Sequence, residues 1–239
     1  MEGTFDGLSF YKLKNKIVVR KAGGFQGDKI KTAANYVRVR ENSSEFAENA
    51  RAGKYFRQSI ISYLKLMRQT TLHSRVVSLF QELMKLDTVN PRGQRVMAQG
   101  LQDAQAAALL QAFEFDETTP FSQHFPFETV VNWNQGTLTV ADFTLKALKK
   151  PKAATHLSLQ FIVSGLDFVA QETFTVTKSD VLSLDLADPT ANGTLVLTSE
   201  VPAAPTTVGL LFVQYTQQVN AKEYVLKSCG LKIVGVKIS

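Results

Sequence analysis

The sequence predicts an α+β fold with an extended N-terminal β arm, a three-helix segment and a C-terminal antiparallel β-sandwich. Between residues 41 and 114, apolar side chains recur every three or four positions, the spacing of amphipathic helices. After residue 115, short runs alternate between apolar and polar residues, as half-buried strands do. Strands and helices do not alternate along the chain, so a parallel sheet is disfavoured. We therefore predict three domains, at residues 1–40, 41–114 and 115–239.

The arm combines two β-forming runs with a high density of basic residues. Leu8–Leu13 and Ile17–Arg20 are the two runs, and Lys14-Asn15 between them suits a tight hairpin turn. The glycine-containing segment Ala22–Gly27 then predicts a flexible joint between the arm and the body. The two runs have no evident core of their own, so they can add strands to the sheet of another subunit or fold back on their own.

The first predicted helix begins at Asn42, because Asn42 and Glu45 have the spacing of a capping box. Its apolar stripe consists of Phe46, Ala50, Gly53, Phe56, Ile60, Leu64 and Met67. Small residues on this stripe, such as Gly53, predict close approach of a neighbouring element. A second helix is expected over residues 74–86, and Asn90-Pro91 starts a third that extends to about Phe113. Short links between these helices predict a small antiparallel bundle or a helical hairpin with a third helix packed on it.

The C-terminal half predicts nine short strands separated by Gly, Pro, Asn and Asp residues. This regular spacing is typical of an antiparallel sandwich. The strands are expected at residues 127–133, 137–140, 157–161, 173–177, 181–186, 194–197, 208–213, 223–226 and 231–236.

The two halves of the chain carry opposite net charge. Residues 1–100 contain 18 Lys or Arg and 8 Asp or Glu, a net charge of +10, whereas residues 101–239 contain 9 and 13, a net charge of −4. Such segregation favours partners, or copies of the same chain, that meet in a fixed orientation.

Neither the composition nor the motifs predict a catalytic, cofactor or metal site. Cys229 is the single cysteine, which excludes an intrachain disulfide and a cysteine-based metal cluster. His73, His124 and His156 fall in different predicted elements without ligand spacing. The chain has no Gly-x-Ser-x-Gly elbow, no phosphate-binding loop and no Gly-x-Gly-x-x-Gly motif. We therefore expect a protein that is not an enzyme.

The chain has no apolar run of about 18 residues, and its N-terminus is acidic and polar. We expect no membrane insertion and cytoplasmic synthesis without a signal peptide. Membership of a larger particle stays open.

Several segments of the first 100 residues carry a resemblance to other proteins. They are Gly7–Leu13, Val18–Gly24, Arg38–Phe46, Ala50–Lys54, Leu86–Thr88 and Arg92–Arg95. In these segments the chain resembles a family of uncharacterised proteins from Bacteroidota, which has no assigned activity. The resemblance implies that the segment 38–46 belongs to the start of the first long helix, and it implies no functional residues.

These observations favour a non-enzymatic structural subunit of a homomeric assembly, such as a filament, tube, shell or secretion-related particle. Positive and negative modules can stack head to tail, which gives a heterologous interface that propagates. The candidate interface residues are Leu8, Phe10, Leu13 and Ile17 for strand addition and Arg38, Arg40, Arg51 and Arg57 for charge docking.

Two alternative functions remain open at this point. The basic residues of the N-terminal half can neutralise phosphates, which predicts a salt-dependent nucleic-acid-associated protein. A β-sandwich that uses Trp133 as a stacking platform predicts a carbohydrate-binding protein.

Overall fold

The fold was analysed in a computed structural model, which describes residues 3–13, 15–21, 27–67, 71–220 and 222–239. The α+β prediction is confirmed, since helices and antiparallel sheets are both present. The chain divides into two compact units, residues 1–44 and 45–239.

The first unit contains a three-stranded antiparallel meander followed by helical turns. Its elements are β1 (Gly3–Phe5), β2 (Leu8–Leu13), β3 (Lys16–Lys21), α1 (Gly27–Thr32) and the first turns of α2 (Val37–Ser59). The predicted hairpin between β2 and β3 is confirmed, because Leu13 pairs with Lys16. Asn15 in this turn has φ 64°, a conformation that asparagine tolerates. Lys14 and residues 22–26 of the predicted joint lie outside the described residues, and Gly27 begins α1.

A tight turn at Asp6-Gly7 adds β1 to this sheet. Phe5 pairs with Leu8, and Asp6 and Gly7 have φ 46° and 74°. Positive φ at both central residues is the geometry of a type I′ turn, for which Asp-Gly is a favoured sequence.

Further helices of the second unit follow α2 along the chain. They are α3 (Ile61–Met67), α4 (Leu72–Lys85), α5 (Met97–Gly100), α6 (Ala106–Ala112) and α7 (Phe121–His124). The start predicted at Asn42 is wrong, since α2 already begins at Val37.

The continuous third helix predicted from residue 90 to 113 is also wrong, because the structure has the separate helices α5 and α6 there. Gly100 lies against α4, with a Cβ at this position only 2.3 Å from the Leu83 carbonyl oxygen. Asp103 then accepts a hydrogen bond from the backbone N–H of Gln105 at 2.8 Å, which forms a turn instead of a continuing helix.

Two antiparallel sheets complete the second unit. The strands are β4 (Thr129–Asn132), β5 (Thr137–Phe143), β6 (His156–Leu166), β7 (Phe174–Lys178), β8 (Leu182–Asp185), β9 (Gly193–Thr198), β10 (Thr206–Val219) and β11 (Lys222–Ile238). One sheet has the order β11-β10-β6-β7, with β8 also paired to β6, and the other has the order β4-β5-β9.

The last two predicted strands form one long strand, β11, so the described part of this unit has eight strands and not nine. A bulge in β11 explains the difference. The register shifts opposite Gln214, whose side-chain Nε2 donates to the carbonyl oxygens of Leu226 (2.7 Å) and Ser228 (3.1 Å). The bulge interrupts the apolar alternation without ending the strand.

The five-stranded sheet is buried on both faces. On one face, Ile162 of β6 and Leu210 of β10 pack with side chains of α2, α4 and α6 in one hydrophobic core. On the other face, Phe161 and Leu211 pack with side chains of β5 and β9 in a second core. Helices, the five-stranded sheet and the three-stranded sheet therefore form three successive layers, of which the two sheets are sandwich-like.

Asp87 organises the loop between α4 and α5. This side chain is only 1% exposed, and its carboxylate accepts hydrogen bonds from the backbone N–H groups of Val89, Asn90 and Val96 and from the Asn90 amide, at 2.8–3.0 Å. Burial by itself raises the pKa of Asp87, but these hydrogen bonds outweigh burial and hold the pKa below its ordinary value.

We predict that Asp87→Ala lowers the free energy of unfolding by about 2–3 kcal/mol, because it leaves buried N–H groups without acceptors. Urea unfolding at neutral pH measures this difference. The difference in free energy of unfolding between the wild type and Asp87→Ala should shrink as the pH falls below the ordinary carboxyl pKa of 3.8. A carboxyl group with a lowered pKa stabilises the fold only while it is ionised. Asp185→Ala, at an exposed carboxylate with one backbone contact, is the control and should change stability by less than about 0.5 kcal/mol.

Gly53 and Gly100 should respond in opposite ways to substitution by alanine. A Cβ at Gly53 meets Val76 at 3.5 Å, an ordinary contact, so Gly53→Ala should stabilise the helix by about 0.5–1 kcal/mol. Gly100→Ala places the Cβ against the α4 backbone and should cost about 1–3 kcal/mol. Thermal unfolding of both variants checks the pair, and equal effects of the two substitutions would contradict the packing described above.

Candidate assembly surface

The strand register of the first unit places a set of apolar side chains on one face of its sheet. Cross-strand partners share a face, and the pairs are Phe5 with Leu8, Phe10 with Val19, and Lys12 with Ile17. Since Leu8, Phe10 and Lys12 alternate along β2, all three pairs lie on the same side. We call the surface formed by Phe5, Leu8, Phe10, Ile17 and Val19 the apolar arm face.

Most of the apolar arm face is open to solvent. Phe5 is 78% exposed and Ile17 66%, Leu8 and Val19 are also exposed, and Phe10 is half-buried. A three-stranded sheet needs a covered apolar face for independent stability. Contiguous exposed apolar side chains mark interaction surfaces in soluble proteins.

Leu13, the fourth residue predicted for strand addition, lies on the opposite face. It shares that face with Tyr11 and Arg20, whose guanidinium lies 5.6 Å from the Tyr11 ring centre. The structure thus brings together Leu8, Phe10 and Ile17 of the predicted set but separates Leu13 from them.

Sequence reasoning missed Phe5 and Val19 as members of this surface. The turn at Asp6-Gly7 was the available signal, because Asp-Gly between β-forming residues predicts a hairpin and hence a strand at Phe5. Val19 follows from pairing β2 with β3 in the register that the turn sets.

The two arginines predicted for charge docking in the first unit already have partners within it. Arg38 pairs with Glu41 one helical turn away, at 2.9 Å, and its side chain is largely exposed. Arg40 donates to the carbonyl oxygen of Ile30 within α1 (2.6 Å) and to that of Ala33 directly after it (3.0 Å). Arg40 therefore caps the C-terminal end of α1, where a cation is favoured.

The other two predicted arginines, in the second unit, are also paired. Arg51 forms an ion pair with Glu48 at 2.8 Å and remains largely exposed. Arg57 contacts His73, and burial lowers the pKa of Arg57 below its ordinary value. Exposed one-turn ion pairs contribute only about 0–1 kcal/mol, so Arg38 and Arg51 can exchange these partners for others at little cost.

The outer edge of β3 has no strand partner among the described residues of the first unit. Its sequence is Lys-Ile-Val-Val-Arg-Lys, so charged residues flank an apolar centre. Charges at edge strands oppose unspecific pairing, while an acidic partner edge remains compatible with them.

Elsewhere in the described chain, the side chains that are able to bind metals or act in catalysis lie apart from one another. Across the described ranges, no group of three or more His, Cys, Asp and Glu side chains is arranged to hold a metal ion. His73 contacts Arg57 and His156 contacts Thr155, whereas His124 is buried next to Ser228.

Trp133, the residue considered as a carbohydrate platform, packs against the five-stranded sheet. Its ring lies where a Cβ at Gly209 or Gly235 would come within 3.1 Å of it. This close approach explains why both sheet positions are glycine and accounts for Trp133 by packing.

Comparisons with protein-family models, with curated proteins and with solved structures give no match to this chain. None of the helices in the described parts of the chain is long and apolar enough to cross a membrane.

His124 gives the protein a predicted dependence of stability on pH. Burial lowers the pKa of His124 below its ordinary value of 6.5, and the nearby charge of Asp116 offsets only part of this effect. The unfolded chain then binds a proton that the folded chain does not, so stability is lost as the pH falls below 6.5.

We predict that the wild type loses unfolding free energy from about pH 7.5 to about pH 5.5 more steeply than His124→Gln. Chemical denaturation at several pH values measures the slopes. His156→Gln, at a half-exposed histidine, is the control for removing an imidazole. If the unfolding free energy of His124→Gln depends on pH as steeply as that of the wild type, His124 is not the cause of this pH dependence.

Proposed function

We propose that this protein is a non-enzymatic structural subunit of a homomeric assembly and that the N-terminal sheet links one copy to the next. The observation that carries the proposal is the exposed apolar arm face, where no other described part of the first unit covers Phe5 and Ile17. Its occupant is a second copy of the same chain, whose sheets offer surfaces of matching chemistry.

Charge supports a second copy as the partner. The first unit, residues 1–44, carries 9 Lys or Arg and 4 Asp or Glu, whereas residues 101–239 are net acidic. A basic sheet that meets an acidic β surface of the next copy gains orientation as well as attraction. Because the two surfaces differ, the contact is heterologous and can be repeated in a ring or an open polymer.

We predict that the double variant Phe5→Thr and Ile17→Thr weakens self-association by about 100-fold or more. Each substitution removes apolar area worth about 1.5 kcal/mol or more on burial, while threonine preserves β propensity. Light scattering after size exclusion, over a series of protein concentrations, measures the molar mass of each species.

The matched control is Val130→Thr with Val196→Thr, which removes two exposed valines from the edge strands β4 and β9. This variant should associate like the wild type, unless the apolar arm face of the neighbouring copy docks on these two edge strands. Wild type that is monomeric at every concentration and salt would refute the proposal.

Nucleic-acid association has one observation in its favour. Tyr11 lies on the face opposite the apolar arm face, beneath the Arg20 guanidinium, and shares that face with Lys16. Stacking on an aromatic ring next to cations is a common way to bind single strands. Fluorescence anisotropy with a labelled single-stranded oligonucleotide distinguishes the functions: binding at low salt that Tyr11→Leu weakens supports this alternative, and no binding at low salt removes it.

A further inference from the structure

A cleft of about 270 Å³ opens at one end of the five-stranded sheet in the second unit. It lies on the sheet face that carries α3, since Phe212 in its lining belongs to the helix-side core. Apolar side chains at its mouth are Leu66, Val181 and Val225, which are all exposed. Polar side chains line it along two neighbouring strands, with Ser158 and Gln160 on β6 and Gln214 and Thr216 on β10.

Thr216 is the unusual member of this lining. Its side chain is only 2% exposed, and its hydroxyl oxygen has no hydrogen-bond partner among the described residues. The Thr216 carbonyl is engaged, because it accepts from the Thr155 N–H at 2.9 Å. A buried hydroxyl without a partner is costly, and each such group in a folded protein calls for an explanation.

The two glutamines beside Thr216 have structural partners. Gln160 accepts from the Tyr63 hydroxyl at 2.8 Å and donates to the Ser179 carbonyl at 3.0 Å. The Nε2 of Gln214 donates to backbone carbonyl oxygens at the bulge in β11. These bonds fix the glutamine side chains, and the Thr216 hydroxyl is distinguished among the described polar groups of this wall by being both buried and without a partner.

We propose that this cleft binds a small uncharged molecule with an apolar body and one hydroxyl or amide group. The apolar body contacts Leu66, Phe212 and Val225, and its polar group exchanges a hydrogen bond with the Thr216 hydroxyl once rotation of the threonine side chain turns this buried oxygen into the cleft. A concave, mostly apolar site with a few polar groups is the common form of small-molecule sites. Among the described lining residues Glu223 is the only charged one, and its carboxylate disfavours anions in the cleft.

The electrostatic character of the cleft separates this site from the proposed assembly surface. The apolar arm face belongs to residues 1–44 and is accompanied by lysines, whereas the part of the cleft lining that the structure describes contains no Lys or Arg. The ligand site therefore does not depend on self-association, and failure of either proposal leaves the other intact.

The test uses the full chain with labelled leucine and valine methyl groups and titrates benzyl alcohol as the probe. Methyl signals of Leu66 and Val225 should shift in a saturable way, with a dissociation constant on the order of 1 mM for so small a probe. Toluene, which lacks the hydroxyl but has a similar shape, should bind about fivefold more weakly. Thr216→Val keeps the side-chain shape and should remove this preference for benzyl alcohol.

Thr175→Val is the matched control, because Thr175 is an exposed β7 residue outside the cleft. This variant should retain the wild-type preference. Thr216→Val should also raise the thermal midpoint of the ligand-free protein, since it removes an unpartnered buried hydroxyl, and this shift shows that the variant folds. The proposal is overturned if benzyl alcohol leaves both methyl signals unchanged, or if Thr216→Val binds it as tightly as the wild type does.

Discussion

Burial of the five-stranded sheet on both faces is the constraint on which the second unit depends. Residues 206–216 of β10 are buried without interruption, so this strand has no solvent side. Its even and odd positions, such as Leu210 and Leu211, must therefore each find an apolar layer, which the helices supply on one face and the three-stranded sheet on the other. Details of the sheet follow from this burial. Glycine at positions 209 and 235 leaves room for the Trp133 ring. The Gln214 side chain donates hydrogen bonds to backbone carbonyl groups at the bulge.

Among the described residues of the first unit, no second layer covers the apolar face of the N-terminal sheet. Its apolar arm face is as regular in register as β6 and β10, yet Phe5 and Ile17 remain exposed. The contrast between a sheet covered twice and a sheet with an open apolar face motivates the assembly proposal. The predicted arginine contacts play a smaller part in it, because Arg40 already caps α1 and Arg38 makes a weak exposed pair.

The periodicity of the sequence was sufficient to predict the α+β class and the hairpin of β2 and β3, because apolar spacing reports directly on local structure. The periodicity predicted the wrong secondary structure where a tertiary contact determines the local conformation. At Gly100, the last residue of α5, the α4 backbone lies so close that a Cβ would clash with it, and a sequence pattern does not contain that contact. Likewise Lys227-Ser228 interrupts the apolar alternation, but the Gln214 side chain lets β11 continue. The cleft beside Thr216 arises from strand pairing and a bulge, so its members are scattered in sequence and had no motif.

We propose that another copy of the chain covers the N-terminal sheet. Hydrogen–deuterium exchange, followed by mass spectrometry at a low and a high protein concentration, tests this contact on the unmodified protein. We expect peptides within residues 3–21 to exchange more slowly at high concentration, because the sheet and its open edge become covered. Exchange in this segment that is independent of concentration, over a range in which the molar mass increases, would contradict it.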